Sequence, residues 1–239
     1  MNIILFHPAE VEHPLPKQDA RAAHILEVLR LSPGGIFDAG LIDGPIGKGT
    51  LQAINGDSLT LSFTWTEPPP PLYPVHLLLG LPRPQTARDI LRDATTLGVA
   101  SLTFVRSDKG EASYANSSLW KTDAWKKCVI NGTVQAFCTR LPEIAHHETL
   151  SDAVARLPAG ASRVVLDNYE APGPLADFNP PVDRPVVLAL GSERGWSPAE
   201  RVFLREACFH FAHLGRRVLR TETACIAAVT LIRSKLGLF

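Results

Sequence analysis

Two apolar runs near the carboxyl end constrain the fold most, because each breaks into a glycine-bearing loop that leads into a helix. The first run, Pro185 to Leu190, breaks into the loop Gly191–Gly195, and the second, Phe209 to Leu214, breaks at Gly215. Strands that alternate with helices predict a parallel α/β sheet, in which ligands bind beyond the carboxyl ends of the strands. Each loop alone is most simply an ordinary strand-to-helix turn. The pair favours a binding site.

The helices that follow these loops carry their own start signals. Ser197 and Glu200 have the spacing of a capping box, with Pro198 at the first helical position. Thr221 is the predicted N-cap of the last helix, and Glu222 is favourably placed against its dipole. The last helix is apolar on most of its faces, which predicts burial on more than one side. Either the core of a monomer or a dimer interface would provide that burial.

The two loop motifs also carry a family resemblance. They are Leu190-Gly-Ser-Glu-Arg-Gly-Trp-Ser-Pro-Ala-Glu200 and Leu214-Gly-Arg-Arg-Val-Leu-Arg-Thr-Glu-Thr-Ala224. Together they resemble the RsmE family of ribosomal RNA methyltransferases, although Ser192 and Arg194 depart from that family's usual Gly-Pro-Glu-Gly-Gly loop. The resemblance implies an α/β fold: a SPOUT domain whose trefoil knot binds S-adenosylmethionine, preceded by a small PUA-like β-barrel domain that helps to hold RNA.

The composition places few limits on this interpretation. The formal net charge of the 239 residues is zero, so an RNA enzyme of this kind would need a local basic patch. The four cysteines have neither zinc-site nor disulfide spacing, and no apolar run approaches the length of a membrane span. The segment 146–148 holds two adjacent histidines that would not share a helical face, so a polar loop is expected there. We therefore expect a cytoplasmic protein that needs no metal and no membrane.

The first 66 residues predict a small β-rich domain. One helix is expected over Asp19–Arg30, followed by strands around Ile36–Leu41, Thr50–Ile54 and Leu59–Trp65. The prolines after Glu67 predict a stiff linker over 67–74, which leaves 75–239 for the SPOUT domain. In the PUA-like domain, the resemblance implies RNA contacts at Arg21, His24, Arg30 and Lys48. For each of them alone, a solvated surface side chain is an equal alternative.

The chain from Pro74 onward alternates between strands and helices. The predicted elements are strands over Val75–Gly80, Val99–Val105 and Arg163–Asn168, a helix over Thr86–Leu97, and a long helix capped by Ser117 or Ser118 that Gly132 would weaken. In the resembled fold, the end of the strand over Arg163–Asn168 forms the first of three cofactor loops. Gln135 and the run Arg140–Ile144 match the family's glutamine and the Pro-Glu-Ile segment after it, with Val134 and Cys138 in place of the family's glutamate and arginine, and the resemblance implies that Gln135 and Arg140 contact RNA. The run Ala94–Val99 resembles the family's Glu-Leu-Gly-Val segment, with Thr96 in place of the glutamate.

The resemblance assigns most of the two loops to the cofactor. It implies an apolar sandwich around the adenine, backbone hydrogen bonds from the glycines, and a ribose contact from Glu193. The implied cofactor-binding residues are Leu190, Gly191, Ser192, Glu193, Gly195, Leu214, Gly215, Val218, Leu219, Thr221, Thr223 and Ala224. Arg220 and Arg83 are the candidate catalytic residues, because negative charge grows on the uracil carbonyl oxygens as N3 loses its proton. A structural ion pair with Glu222 is the alternative role for Arg220.

The implied reaction is methylation of N3 of a uridine in small-subunit ribosomal RNA by a homodimer. The partner would be ribosomal RNA or the small ribosomal subunit. The departures at Ser192, Arg194, Thr96 and Val134 leave open a methyltransferase of a different RNA site. A third alternative is a ribosome-assembly factor that binds RNA without catalysis, and failure to bind the cofactor would favour it.

Overall fold

The computed structural model describes residues 3–122 and 124–238, with the backbone but not the side chain of His147. The chain divides into two compact units, Met1–Pro71 with Thr133–Leu141 and Leu72–Gly132 with Pro142–Phe239. The boundaries predicted from the sequence put residues 133–141 in the second domain. Those boundaries, and the PUA-like character of the first domain, stay predictions.

The first unit is built on a five-stranded sheet. Its elements are β1 (Ile4–Phe6), β2 (Leu15–Pro16), α1 (Ala20–Ala23), β3 (Ile36–Leu41), β4 (Ile46–Asn55) and β5 (Ser58–Glu67). The strand order is β1-β3-β4-β5-β2, with β1 parallel to β3 and the other pairs antiparallel. Phe6, Ile25, Leu51 and Leu59 lie fully buried in its core. The three strands predicted after the helix are therefore confirmed, although β4 and β5 are longer than their apolar runs.

The helix predicted over Asp19–Arg30 is only partly correct. Asp19 caps α1 by accepting a hydrogen bond from the Arg21 backbone N–H at 2.8 Å. His24–Val28, in the second half of this segment, form a π-helix, and Arg30 lies in the left-handed region with φ 53°. The apolar stripe indicates a helical segment, but it does not distinguish an α-helix from a π-helix, since either one can turn an apolar face towards the sheet.

Residues 133–141 belong to the first unit through hydrogen bonds to the loop between β3 and β4. The Leu141 backbone N–H donates to Asp43 Oδ1 at 2.9 Å, and the Thr139 hydroxyl donates to the Gly44 carbonyl at 2.6 Å. The Asp43 backbone N–H in turn donates to the Thr139 carbonyl at 2.8 Å. These bonds join segments almost 100 residues apart, so sequence patterns alone do not predict them.

The second unit contains a seven-stranded sheet in which all pairs of neighbouring strands are parallel. Its strands are β6 (Tyr73–Gly80), β7 (Val99–Arg106), β8 (Glu143–Thr149), β9 (Ser162–Leu166), β10 (Gly173–Pro174), β11 (Val186–Leu190) and β12 (His210–His213). Its helices are α2 (Pro84–Thr96), α3 (Ser118–Lys121), α4 (Ala124–Gln135), α5 (Leu150–Ala155), α6 (Pro198–Glu206) and α7 (Thr221–Lys235), of which α4 extends into the segment grouped with the first unit. The strand order is β10-β12-β9-β11-β6-β7-β8.

The centre of this sheet follows from its sequence. All five residues of β11 are buried, as expected for a strand of a parallel sheet that is covered on both faces. Gly98, with φ 75°, follows the end of α2 as predicted. A mixed α/β fold with a parallel sheet is consistent with the SPOUT domain that the resemblance implies.

Three local predictions in this unit are wrong. The long helix predicted from Ser117 or Ser118 is two helices, α3 and α4. The segment 146–148 lies in β8 rather than in a polar loop. Thr221 is the first residue of α7, and the N-cap is Arg220, whose side chain makes no capping hydrogen bond. In these segments the packing of each element against its neighbours overrides local propensity and decides where the element begins.

Candidate functional site

A cavity of about 500 Å³, the main cavity, lies at the carboxyl ends of β12, β9 and β11, three neighbouring strands of the second unit. The loops after these strands and the first turn of α7 form its wall. The lining residues are Leu166–Tyr169, Leu190–Gly195, His213–Leu219, Thr221 and Ala224. Open parallel sheets bind ligands at this edge, and small-molecule sites commonly measure about 300–1,000 Å³.

The loop after β11 makes a tight backbone turn. The Gly195 N–H donates to the Ser192 carbonyl at 2.8 Å, and Gly195 has φ 67°. A Cβ atom at Gly191 would lie 2.8 Å from the Gly195 backbone, which is closer than real Cβ contacts. A side chain at Gly191 would therefore force the turn open, whereas one at Gly195 would be strained by its backbone conformation.

The predicted capping box fixes the end of this loop. The Glu200 backbone N–H donates to Ser197 Oγ at 3.1 Å, and the Ser197 backbone N–H donates to Glu200 Oε2 at 2.7 Å. The Ser197 hydroxyl also donates to Asp108, and the Asp108 backbone N–H donates to Glu200 Oε1. Trp196, just before the cap, is fully buried. The loop is thus held firmly at the point where it enters α6.

The loop after β9 is organised by a buried carboxylate that the sequence reasoning missed. Asp167 Oδ1 accepts hydrogen bonds from the backbone N–H groups of Tyr169 and Glu170, both at 2.8 Å. Its Oδ2 accepts from Arg201 Nε at 2.7 Å, and the two side chains are 1% and 7% exposed. The position of Asp167 at the carboxyl end of a predicted strand was the available signal. No signal in the sequence indicated its partner on α6, Arg201.

The loop after β12 is more open. The Gly215 N–H donates to His213 Nδ1 at 3.0 Å, and Gly215 has φ 103°. Val218 is 82% exposed although it lines the main cavity. An apolar side chain so exposed at the rim is available to cover a ligand.

The structure brings together eleven of the twelve residues that the resemblance assigns to the cofactor. Only Thr223 is outside the main cavity, on the exposed side of the first turn of α7. The lining also includes residues absent from the prediction, which are Leu166, Asp167, Asn168, Tyr169, Arg194, His213, Arg216 and Arg217. Arg194, Arg216 and Arg217 lie within the two quoted motifs, so their place in the sequence could have indicated them.

The two candidate catalytic arginines have different surroundings. The Arg83 backbone N–H donates to Glu193 Oε1 at 2.9 Å, and its Nε lies 3.4 Å from the same oxygen. Arg220 pairs with Glu222 at 3.1 Å through a side chain that is 77% exposed, and it does not line the main cavity. The structural ion pair considered for Arg220 is therefore present. Arg83 is the candidate linked directly to a residue of the cavity.

The six candidate RNA contacts all lie in the first unit. Arg21 is the most restrained, since Glu10 and Asp19 both accept hydrogen bonds from its guanidinium. That pairing raises the pKa of Arg21 and lowers the pKa of both carboxyls. Lys48 pairs with Asp38. The exposed residues are Arg30, Lys48, Gln135 and Arg140, whereas His24 is half-buried.

Within residues 3–122 and 124–238, no cluster of three or more His, Cys, Asp or Glu side chains is arranged to hold a metal ion. The same residues contain no helix that is both long and apolar enough to cross a membrane.

Comparisons with known proteins identify the family of the chain. A family model described as an RNA methyltransferase domain matches residues 68–233. The chain is 36% identical over 244 residues to the ribosomal RNA small subunit methyltransferase E of Treponema pallidum, covering 97% of this chain and 90% of that protein.

Two solved structures share the fold over almost the whole chain. One is ribosomal RNA small subunit methyltransferase E from Neisseria gonorrhoeae bound to S-adenosyl methionine, with TM-score 0.77, 22% identity and coverage of 98% of this chain and 97% of that one. The other is a putative methyltransferase from Legionella pneumophila in complex with the same cofactor, with TM-score 0.79, 22% identity and 98% coverage of both chains.

The fold and the matched domain define an α/β RNA methyltransferase of the SPOUT class. The identity shared with the Treponema pallidum protein extends over nearly the full length of both chains. The chain belongs to the RsmE family, the ribosomal RNA small subunit methyltransferases E.

Proposed function

We propose that this protein methylates N3 of a uridine in small-subunit ribosomal RNA and takes the methyl group from S-adenosylmethionine. The observation that carries the proposal is the main cavity, where three loops that follow adjacent parallel strands meet. The chain's membership of this family gives the cavity its proposed role. The small-subunit substrate is supported by the name of the Treponema pallidum relative. The choice of uridine N3 is supported by the resemblance of the Leu214–Ala224 motif.

The residues of the main cavity fit the cofactor. Its volume of about 500 Å³ suits a ligand of this size, and Leu190, Leu214, Val218 and Leu219 offer apolar surface for an adenine ring. Without a side chain at Gly191, its backbone packs against that of Gly195, and both residues line the cavity, where their polar groups are available to the edge of the base. We propose that these groups, with Ser192, Glu193, Thr221 and Ala224, hold the cofactor.

When bound, S-adenosylmethionine would supply an electrophilic methyl group. A bond would form between N3 and the methyl carbon, and the carbon–sulfur bond would break with its electron pair going to sulfur. The N3 proton would pass to water. The protein contributes orientation and exclusion of solvent. A cation near the uracil carbonyl oxygens stabilises the negative charge that grows as N3 loses its proton. Arg83 is proposed for this role because it contacts Glu193 of the cavity wall, and Arg220 is the second candidate.

The partners of the reaction follow from the same proposal. The first unit would bind ribosomal RNA through Arg21, His24, Arg30, Lys48, Gln135 and Arg140. A homodimer is proposed because α7 keeps Leu231 exposed at 36% and Ile226 half-buried in the single chain. The location would be the cytoplasm, where ribosomal subunits are assembled.

Calorimetry with S-adenosylmethionine tests the site first. Gly195→Leu should weaken binding at least tenfold, because Gly195 lines the cavity and has φ 67°. The matched control is Gly160→Leu, since Gly160 also has φ 70° with open space around its Cβ position but lies before β9, away from the cavity. Equal affinities in the two variants would show that the site is elsewhere.

Methyl transfer to small ribosomal subunits tests the reaction. Subunits from cells that lack the enzyme should gain one methyl group, and mapping should place it on uridine N3. A methyl group on another nucleotide would favour the alternative RNA target, which the departures at Ser192 and Arg194 support. Absence of cofactor binding at millimolar concentration would favour the non-catalytic assembly factor.

A further inference from the structure

A second recess, of about 240 Å³, adjoins the main cavity in the second unit. Arg83, Lys109 and Tyr114 line it, together with the turn Ser192–Arg194, which also lines the main cavity. We propose that this recess, the acceptor recess, binds a single nucleotide of single-stranded RNA whose base receives the methyl group. The inference rests on the proposed function and adds the place where the acceptor binds.

The shared wall is the first argument. Methyl transfer requires the reacting atoms to approach to roughly 3–3.5 Å, so the acceptor site must be contiguous with the cofactor site. Ser192, Glu193 and Arg194 face both spaces. Lys109 of the recess also lies near the main cavity, since its Nζ is 6.0 Å from the ring centroid of Tyr169.

The charges of the recess are the second argument. Arg83, Lys109 and Arg194 supply three cations, against two carboxylates from Glu111 and Glu193. Glu193 is engaged by Arg83, whereas Arg194 reaches Glu111 only at 3.8 Å, with both side chains more than half exposed. A loose exposed pair of this kind contributes little and exchanges readily for a phosphate. In a chain with zero formal net charge, the three cations and two carboxylates leave the recess with one net positive charge, which favours an anionic ligand.

The third argument is an unsatisfied hydroxyl in the shared wall. Ser192 is 6% exposed, and its Oγ has no hydrogen-bond partner among the described residues. A buried hydroxyl without a partner is costly, and a bound polar ligand would remove that cost. The donor and acceptor edge of a pyrimidine base provides such a partner.

The size and lining of the recess favour one nucleotide over a duplex. A space of about 240 Å³ lies below the usual range for larger ligands and suits a single base with part of its sugar. Tyr114, in the short helical turn Ala112–Asn116, offers an aromatic ring in the wall. Enzymes that modify bases take them out of the stack and hold them against aromatic side chains.

Fluorescence anisotropy with a labelled uridine trinucleotide, in the presence of S-adenosylhomocysteine, tests the recess without requiring catalysis. Lys109→Glu should weaken binding at least tenfold, because it reverses one of the three charges. Arg184→Glu is the control with an equal change of charge, since the exposed Arg184 lies just before the amino end of β11, whereas the recess adjoins the cavity at the carboxyl ends of the strands. Tyr114→Ala should weaken binding about fivefold or more, whereas Tyr114→Phe should keep the affinity of the wild type, because the ring and not the hydroxyl stacks on the base.

Ser192→Ala separates a ligand contact from a structural role. Its melting temperature should be unchanged or higher, since no internal hydrogen bond is lost, while trinucleotide affinity at saturating S-adenosylhomocysteine should fall about threefold to tenfold. Because Ser192 also lines the main cavity, the affinity for S-adenosylhomocysteine is measured separately, and a loss confined to that ligand would assign the hydroxyl to the cofactor and overturn this step. A lower melting temperature with unchanged affinity would assign the hydroxyl to the fold and overturn this step.

The outcomes separate this inference from the proposed function. Wild-type protein that binds and uses S-adenosylmethionine, with Lys109→Glu equal to the Arg184→Glu control in trinucleotide affinity and in KM for ribosomal subunits, would overturn the acceptor recess alone. Undetectable trinucleotide binding by an active wild-type enzyme would also overturn it. Loss of cofactor binding in the wild type would instead refute the proposed function.

Discussion

The buried pair between Arg201 and Asp167 allows a sharp test of what holds the loop after β9 in place. Arg201→Gln would leave the Asp167 carboxylate, 1% exposed, without its cationic partner. Removing one partner of a buried ion pair costs about 3–5 kcal/mol, because the remaining charge stays desolvated. Asp167 keeps two backbone hydrogen bonds, from Tyr169 and Glu170, so we expect the lower end, about 3 kcal/mol.

Equilibrium urea unfolding at fixed protein concentration measures this cost. For a chain of this length, about 3 kcal/mol corresponds to a fall in melting temperature of roughly 6–12 °C. Arg205→Gln is the matched control, because Arg205 lies on the same helix and pairs with Glu170 through side chains that are 47% and 39% exposed. An exposed pair of this kind contributes less than about 1 kcal/mol.

The reasoning also predicts a rescue. Adding Asp167→Asn to Arg201→Gln should cost less than the sum of the two single changes, since no unpaired charge then stays buried. Strict additivity, or an Arg201→Gln cost as small as that of Arg205→Gln, would refute the argument that burial makes this pair important. Affinity for S-adenosylmethionine should fall with Arg201→Gln, because Asp167 orders a loop of the main cavity.

Three further predictions concern the loop after β11, the first unit and the start of α6. Gly191→Ala should lower cofactor affinity at least tenfold by calorimetry, because its Cβ atom would lie 2.8 Å from the loop backbone; unchanged affinity would contradict this. Arg21→Met should lower stability at neutral pH. Arg21 holds the folded-state pKa values of Glu10 and Asp19 below their ordinary 4.5 and 3.8, so its stabilising effect is full above those values and disappears as the pH falls through the folded-state pKa values. Melting temperatures of the variant and the wild type, measured from pH 7 to 2.5, should therefore converge in acid. A difference in melting temperature that stays constant over this range would contradict the prediction. Ser197→Ala should cost about 1–2 kcal/mol in urea unfolding, because it removes the N-cap acceptor and a hydrogen bond to a carboxylate; a change under about 0.3 kcal/mol would show that the capping box is not needed.

Elements with strong local patterns were predictable. The strand over Ile36–Leu41 has the predicted bounds, and the run from Pro185 to Leu190 forms β11, one residue shorter at its start. The capping box at Ser197 and the terminating Gly98 also follow from short sequence signals. Such signals are readable because hydrogen bonds and side-chain periodicity within a few residues produce them.

Boundaries and winding were less predictable. The segment Asp19–Arg30 shows a helical stripe, yet its second half is a π-helix, and Thr221 is the first helical residue and not the cap. The helix expected from Ser118 is divided in two. Packing against neighbouring elements decides these details, and its free energy exceeds the small differences in local propensity.

The sequence by itself determined that two strands each end in a glycine-bearing loop that leads into a helix, and which residues lie in those two loops. The family resemblance implied a third cofactor loop after the strand over Arg163–Asn168, but only the tertiary structure decided that β9 lies between β12 and β11, which brings the three loops around one cavity. It also decided that Arg201 pairs with Asp167 and that Arg83 and Lys109 share a recess with Arg194. The physical reason is that strand order and contacts between distant segments depend on the packing of the whole sheet, which no local pattern records.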